Sequence, residues 1–431
     1  MMRIFVAVRH SNDPRHFYGA LWSRNFYPAL RELGHEIIES QIDLLPTSQF
    51  MHISGGFTPQ ESEVRAKTTQ QILDEVRAAH QKSPVQLFLS YFYNAHFEPA
   101  GFDELRRLSI PSVNFYCNSM YQFEHVADVA AKVDFAWHAE RDARARYSEV
   151  GANPVWVQMA ADPIVYSPRL VSERSRKAGF VGQRYADRDR WIAALIKAGV
   201  PVEVYGSGWS KCGPLPEVSQ PNSEPQIYLG RRRLSPGSWE SYATEARSIL
   251  RRDGMLRGSG RLLRQFQYRQ QTKRLTSLIE PHARGSVACG RQAKVFSSYE
   301  VCLNFSNVWS DGRPGTKLIP HVRLRDFEVP MCRACYLTGY TEEITEFYEP
   351  GREIETYRTQ AELIDKTRFY LANGRAAENL REAGYRRARR DHTWVRRFEK
   401  LFRLTNIGLK PMKVGARRKR GKAKPAPRSS G

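Results

Sequence analysis

The stretch His321–Tyr357, HVRLRDFEVPMCRACYLTGYTEEITEFYEPGREIETY, decides how the chain is read. Its first segment has helical spacing and is expected to stop at Val329-Pro330, because proline disfavours helix at the residue before it. The apolar run Ala334–Thr338 is short enough for a buried strand. Thr341–Tyr348 returns to helical spacing, with Ile344, Phe347 and Tyr348 on one side and Thr341 able to cap it. Pro350-Gly351 turns the chain into Glu353–Tyr357, a second short strand. Helix, strand, helix, strand at this pace is the rhythm of a parallel α/β layer. Glu328 then stands where the first helix ends, beside the edge at which such sheets bind ligands.

The same rhythm runs through the first half of the chain. Strands are expected at Ile4–Val8, His35–Glu39, Val85–Phe92, Ser112–Tyr116, Val133–His138 and Pro154–Gln158, with helical patterns between them. Ala160 to about Lys177 reads as a linker. The pattern restarts at Ala178–Gly182, helix Asp187–Ala198 and strand Val202–Tyr205, breaks between about 213 and 285, and resumes with strand Val301–Phe305. Helices over 359–371, 375–384 and 393–404 follow. At 431 residues the chain exceeds one ordinary core, so two domains are expected, 1–165 and 166–409, followed by a basic low-complexity tail, 410–431.

The net charge of +22 raises the question of a nucleic-acid partner. Its distribution argues against one. The tail from Lys410 holds nine basic residues and no acidic one, and residues 213–285 hold thirteen Lys/Arg against six Asp/Glu. Those two segments carry sixteen of the twenty-two charges, leaving the rest of the chain mildly basic. No helix-turn-helix, zinc-finger or RNP-like motif accompanies them, so a nucleic-acid partner is not the first expectation, and a nucleic-acid-binding protein using these two segments stands as an alternative. The break at 213–285 reads as a helical, basic insertion in the second domain, with helices expected over Ser238–Gly254 and Leu262–Leu278. The insertion and the tail could instead hold the protein at an anionic membrane surface. No apolar run approaches the length of a membrane span, and Ile4–Val8, five apolar residues before Arg9-His10, is too short for a signal peptide and reads as the first strand. Six scattered cysteines then read as reduced thiols in a cytoplasmic protein. Cys332-Arg-Ala-Cys335 lacks the second ligand pair that a zinc site needs.

Arg323-Leu-Arg-Asp-Phe-Glu-Val-Pro330, the Cys332/Cys335 strand entry and Glu353-Ile-Glu-Thr-Tyr357 resemble the C-terminal half of the CgeB-like glycosyltransferases. The likeness continues through Ala361–Lys366 to Asp391-His-Thr-Trp394, and recurs at Ala178–Gly182 and Ala160–Pro163. The resemblance implies an α/β chain of the GT-B class, in which two Rossmann-like, doubly wound domains face each other across a cleft. The first domain takes the acceptor and the second, with a group 1-like C-terminal fold, takes a nucleotide-sugar donor. It implies transfer of a sugar to a hydroxyl on a glycan, lipid-linked or protein acceptor, with no cofactor and no protein-bound metal. It also implies a C-terminal helix that crosses back to the first domain.

Within that frame the residue types suggest roles. Glu328 can accept the two hydroxyls of a ribose, or it can pair with Arg325 three residues back. In retaining relatives a second glutamate stands eight positions earlier; here that position is Pro320. A diphosphate leaving group needs compensating charge or helix N-terminal amides. Arg184, Arg188, Lys317, Arg323 and Arg325 are the candidates, with Arg184 and Arg323 foremost. Gly182, Gly206 and Gly315-Thr316, ahead of Lys317 and an expected helix, could cradle phosphate or merely turn the chain. His10 follows the first strand and could take the proton of an acceptor hydroxyl, oriented by Asp13, or be an ordinary loop residue. His96 and His138 also follow strands.

Overall fold

The computed structural model describes residues 1–11, 21–210, 227–229, 232–234, 243, 246–247, 249–250, 254–288, 290–312 and 314–408. Asp13, most of the helix expected over Ser238–Gly254 and the tail 410–431 lie outside the described residues.

Two parallel sheets organise the molecule. The first contains β1 (Arg3–Ala7), β2 (Glu36–Glu39), β3 (Leu87–Ser90), β4 (Ser112–Tyr116), β5 (Phe135–His138) and β6 (Pro154–Trp156), in the order β2-β1-β3-β4-β5-β6. The second contains β7 (Ser175–Val181), β8 (Val202–Tyr205), β11 (Tyr299–Asn304), β14 (Tyr336–Gly339) and β15 (Glu355–Tyr357), ordered β15-β14-β11-β7-β8. Every pairing inside both sheets is parallel. Central strands such as β3 and β4 are buried along their whole length, as expected for strands covered by helices on both faces. Two antiparallel ribbons complete the set: β9 (Ile227–Leu229) with β10 (Arg232–Leu234), and β12 (Asn307–Trp309) with β13 (Leu318–Pro320).

The main helices are α1 (Leu21–Glu32), α2 (Pro59–Lys82), α3 (Gly101–Arg107), α4 (Arg144–Glu149), α5 (Arg188–Lys197), α6 (Met255–Ile279), α7 (Gln292–Ser298), α8 (Arg325–Met331), α9 (Gln360–Ala372), α10 (Gly374–Asp391) and α11 (Trp394–Thr405). Strand order reverses between β1 and β3 in the first sheet and between β7 and β11 in the second. Such a reversal opens a crevice beyond the carboxyl ends of the strands. His10 follows β1 there, and Gly182 and Ser306 follow β7 and β11.

The last helix returns to the first sheet. Thr393 caps α11, its hydroxyl accepting from Arg396 N at 3.3 Å. One face of α11 then presents Trp394, Phe398, Leu401 and Phe402, all buried. Trp394 Nε1 donates to Asn25 Oδ1 at 2.8 Å, and the Phe398 ring lies 5.3 Å from Phe26 and 5.6 Å from Trp137. Arg397 Nε donates to Met159 O at 3.0 Å, tying the helix to the segment that joins the sheets.

Several local expectations shift. The helix of the deciding stretch runs through Pro330 to Met331; the proline forgoes one backbone bond to the preceding turn, and the helix ends a residue later. Glu328 is therefore inside α8 and not at its end. Thr341–Tyr348 forms only a 3-10 turn at Glu343–Glu346, although Thr341 Oγ1 caps it, accepting from Ile344 N at 3.0 Å. Gly315-Thr316-Lys317 leads into β13, not a helix, so no helix N-terminus follows it. The part of the insertion that is described centres on α6, which packs along α5.

Phe398→Ala is expected to cost about 3–5 kcal/mol of unfolding free energy, the range for emptying a buried aromatic site. Arg396→Ala, on the outer face of the same helix, is expected to stay within about 0.5 kcal/mol. Urea denaturation of the two variants beside the parent protein checks both values.

Candidate functional site

The turns after β7 and β8 pack backbone against backbone. Gly206 has φ +129°, and a Cβ there would come within 2.3 Å of Gly182 O. Gly208 has φ +82°, and a Cβ there would come within 3.2 Å of the Arg184 Cβ. Trp209 Nε1 donates to Gly182 O at 2.7 Å, closing the turn from the other side. Gly182 needs its missing side chain for another reason: a Cβ would meet the Phe180 ring at 2.6 Å and Arg188 Nη1 at 3.2 Å. Arg188 thus folds down over Gly182.

Three guanidinium groups gather at this point. Arg188 is only 8% exposed and donates from Nη1 to Gln183 O at 2.9 Å. Its guanidinium lies 5.6 Å from the Phe180 ring centroid and 5.9 Å from that of Tyr185. Among the described residues no carboxylate pairs with it, and its Nε has no partner. Burial, then the charges of Arg323 and Arg325, push its pKa down to about 9. Arg323 likewise has an unpartnered Nε and no ion pair among the described residues. Its charge acts on Cys117 and Tyr121 of the first unit and on Tyr185 and Arg188 of the second, so it faces both. Arg325 is ion-paired with Glu328, reaches Val181 O at 3.4 Å and lies 5.5 Å from the Phe296 ring centroid. Three cations against two carboxylates, Glu328 paired with Arg325 and Asp187 beside Arg188, leave a small local excess of positive charge in a water-poor crevice, which suits an anion.

Asp326 fixes the Arg323 backbone. Its Oδ2 accepts from Arg323 N at 2.7 Å, and its Oδ1 accepts from Tyr336 OH at 2.8 Å and Thr338 Oγ1 at 2.9 Å. Burial raises its pKa against the pull of these donors.

Other candidates are turned elsewhere. Arg184, a foremost expectation, donates to Thr276 Oγ1 at 2.9 Å and Thr272 O at 2.6 Å, and pairs with Asp189 at 3.2 Å. Its guanidinium is taken up in seating α6 on α5. Gly315 sits against Gln265 of α6, and Lys317 is exposed on the β12–β13 ribbon. Glu328, 2% exposed, has taken the ion pair with Arg325. Asp187-Arg188-Asp189 is an Asp-x-Asp tripeptide; both carboxylates have protein partners, although Asp187 Oδ1 has none among the described residues. Asp187 Oδ2 accepts from Trp191 Nε1 at 2.8 Å and Asn307 Nδ2 at 2.7 Å, while Asp189 pairs with Arg184 and Arg190. Beside Asn307, a cavity of about 220 Å³ runs along the ends of β11, β14 and β15. Ser306, Tyr340 and Arg358 line it, the Arg358 guanidinium stacked 3.3 Å above the Tyr340 ring.

On the first-sheet side, His10 Nε2 lies 2.5 Å from Tyr91 O. A carbonyl only accepts, so Nε2 carries the proton and Nδ1 holds the lone pair. The ring stacks 4.8 Å from Tyr91 and 4.3 Å from His96, and burial pushes its pKa down to about 4. His96 and His138 are also held neutral by burial, His138 at about 4. Asp13 lies outside the described residues.

The sequence reading missed a polar pair between the two units. Glu140 follows β5 and is 1% exposed; its Oε2 accepts from Ser119 N and, at 3.2 Å, from Met120 N. Its Oε1 stands 2.9 Å from Nε2 of His321, itself 5% exposed, though not aligned for a hydrogen bond. His321 opens the deciding stretch two residues before Arg323. Its partner lies on another sheet, so no local spacing could reveal the pair.

The model of the family described as "Glycosyl transferase-like" matches residues 184–403, just over half of the chain and the whole of the arginine cluster. The chain belongs to this glycosyl transferase-like family. The match does not single out the CgeB-like group within it. The sucrose-phosphate synthase tll1590 from Thermosynechococcus elongatus is similar in structure at 12% identity, over 94% of this chain and 99% of that one, with a TM-score of 0.53. AviGT4, a glycosyltransferase involved in Avilamycin A biosynthesis, is similar at 14% identity over 94% and 97%, TM-score 0.52. Anabaena Alr3699/HepE, solved in complex with UDP, is similar at 10% identity over 94% and 100%, TM-score 0.51. These likenesses establish the GT-B fold, two Rossmann-like layers facing each other. No curated protein matches the chain significantly in sequence.

The cluster predicts anion binding and a charge cost. Inorganic pyrophosphate is expected to raise the melting temperature of the parent protein and to leave that of Arg188→Gln nearly unchanged; saturation at about a hundred times Kd corresponds to about 2.7 kcal/mol. Because Arg188 is held near 9, well below the ordinary guanidinium range, the native state binds fewer protons than the unfolded state above about 9. Its contribution to stability therefore rises with pH through about 9. Melting curves compared between parent and Arg188→Gln across that range should show the rise in the parent alone.

Proposed function

We propose that the protein transfers a sugar from a nucleotide-sugar donor to a hydroxyl acceptor, without a protein-bound metal. The single observation that carries this reading is the pair of guanidiniums, Arg188 and Arg323, with no carboxylate partner among the described residues at the strand-order reversal of the second sheet. The departing diphosphate gains negative charge as the glycosidic bond breaks, and preoriented cations in a water-poor crevice stabilise it at little reorganisation cost. Arg188 and Arg323 would contact the diphosphate, with Gly182 allowing its oxygens to approach the backbone. Arg325 would exchange Glu328 for a phosphate oxygen, freeing the carboxylate for the ribose hydroxyls. Arg184 and Gly206 would act through the turns they hold together, and Gly315, Thr316 and Lys317 through the ribbon that borders the crevice. The cavity at Ser306, Tyr340 and Arg358 adjoins this site and is wide enough for a planar base.

On the acceptor side we keep His10, with Asp13, as the proton-accepting candidate, since its Nδ1 holds a lone pair. A ring near pH 4 is a weak base. The Glu140–His321 pair, which shares its segment with Arg323, is therefore the stronger alternative. The acceptor is a glycan, lipid-linked or protein hydroxyl, and cell-surface glycoconjugate synthesis is the role that accords with the family. A second reading is a donor-binding protein of the same fold without turnover; the Arg325–Glu328 pair and Pro320 in place of a glutamate favour it.

Calorimetry against UDP-, GDP-, dTDP- and CMP-sugars separates these readings. One nucleotide class should bind saturably and weaken roughly tenfold or more in Arg188→Gln and in Arg323→Gln, as for loss of a charge-assisted contact. Turnover or hydrolysis of that donor marks an enzyme, and tight binding without either marks the second reading. Pyrophosphate binding with no response to any nucleotide sugar would overturn both.

A further inference from the structure

Helix α6 is seated by one face and bare on the opposite one. Its buried residues are Gly258, Arg261, Gln265 and Ile279. Arg261 pairs with Asp311 at 2.7 Å, Tyr268 OH donates to Ala186 O at 2.9 Å, and the Tyr268 ring meets Trp309 at 5.3 Å. The far side carries Met255 at 71% exposure, Leu256 at 93%, Leu263 at 58% and Phe266 at 59%. At 3.6 residues per turn these four side chains fall within an arc of about 100°. Large exposed apolar residues are scattered elsewhere in the described chain; here four of the eleven share one helix face, and such a concentration marks an interaction surface. Phe266 also borders an open apolar groove with Ala243, Ala246 and Leu262.

The charge around this ridge selects the partner. α6 contains six Arg/Lys and no Asp/Glu, with Arg257, Lys273 and Arg274 exposed alongside the apolar side chains. A second copy of the chain would bring the same cations face to face. Nucleic acid would satisfy the cations and leave the leucines and phenylalanine in water. A bilayer with anionic headgroups satisfies both, since apolar side chains enter the boundary between headgroups and acyl chains while flanking cations meet the phosphates. We propose that the exposed face of α6 docks the protein on an anionic membrane surface.

The same helix holds the β12–β13 ribbon through Arg261–Asp311 and Gly315, and the Gly312 turn of that ribbon comes within van der Waals reach of Tyr121 of the first unit. Docking through α6 would therefore set the mouth of the crevice near the bilayer and favour a membrane-borne acceptor. That corollary rests on the transfer reading above; the docking itself does not.

Co-sedimentation of the full chain with phosphatidylcholine vesicles, with and without phosphatidylglycerol, tests the proposal. Binding is expected only when phosphatidylglycerol is present. The double variant Leu263→Ser/Phe266→Ser should lose roughly tenfold or more of it, given the apolar area withdrawn, and Lys273→Gln/Arg274→Gln should weaken it and reduce its salt dependence. Circular dichroism and the pyrophosphate melting shift, retained in both variants, show that the fold and the anion site are intact. Vesicle binding untouched by the apolar double variant, or no vesicle binding at all, overturns the proposal; so does equal, salt-sensitive binding to duplex DNA that the apolar variant leaves unchanged. Loss of the pyrophosphate response with vesicle binding preserved would instead strike at the donor site alone.

Discussion

A buried guanidinium without a carboxylate is expensive, and the second half of this protein is arranged to tolerate one. Arg188 is held over Gly182 by a single carbonyl and two aromatic faces, while Arg323 and Arg325 press their charges toward it. Removing charge from water costs several kcal/mol unless a partner repays it. The surrounding structure supplies rigidity and only partial relief: Asp326 grips the Arg323 backbone through a buried network of Tyr336 and Thr338, Glu328 pairs with Arg325, and the charge of Asp187 offsets part of the cost at Arg188. An incoming diphosphate would turn this penalty into binding energy, which is how a preorganised electrostatic site works.

The two layers are tied together through the last helix. Trp394 and Phe398 of α11 sit in the aromatic core of the first sheet, and Arg397 and the bridge from Ala161 to His392 fasten the returning chain. Closer to the crevice the contacts become polar: Arg141 with Glu346 at 3.0 Å, Gln158 with Glu343 at 2.9 Å, and Glu140 facing His321. Burial pushes Glu343 up to about 7, so this part of the boundary holds groups that change charge near neutrality. An apolar strap at one end and a polar seam beside the site is a division suited to two layers that must stay attached and still adjust around a ligand.

Legibility in the sequence followed the range of the forces involved. Strands Ser112–Tyr116 and Val202–Tyr205 were readable to the residue because alternation, burial and flanking turns are local signals. The helix through Pro330 was not, since proline disfavours helix at the residue before it without forbidding it where the surrounding packing holds the turn. Among the basic residues the sequence narrowed the field to five, four arginines and Lys317, and put Arg184 and Arg323 first. Arg184 is engaged by Thr272 and Thr276 of α6, whereas Arg323 meets Arg188, ranked lower, only after the sheet has formed. The Glu140–His321 pair had no local signature at all. Pairing across two layers is the kind of fact that a one-dimensional pattern cannot carry.

The surplus of positive charge makes the same point from another direction. Read as a total, it suggests a polyanion-binding protein; in the described residues it divides by what each arginine touches. Arg184, Arg261 and Arg397 are buried and bond backbone or side-chain oxygens, serving as ties between elements. Arg188 and Arg323 stand at the crevice with no ion pair among the described residues, whereas Arg184 and Arg261 have one each. Arg257, Lys273 and Arg274 lie in water beside an apolar ridge. The long, planar guanidinium permits all three uses, because its apolar stem can pack while its donors fan out in a plane. Net charge alone therefore says little about function in this chain, and the informative quantity is which cations the fold has left without a partner.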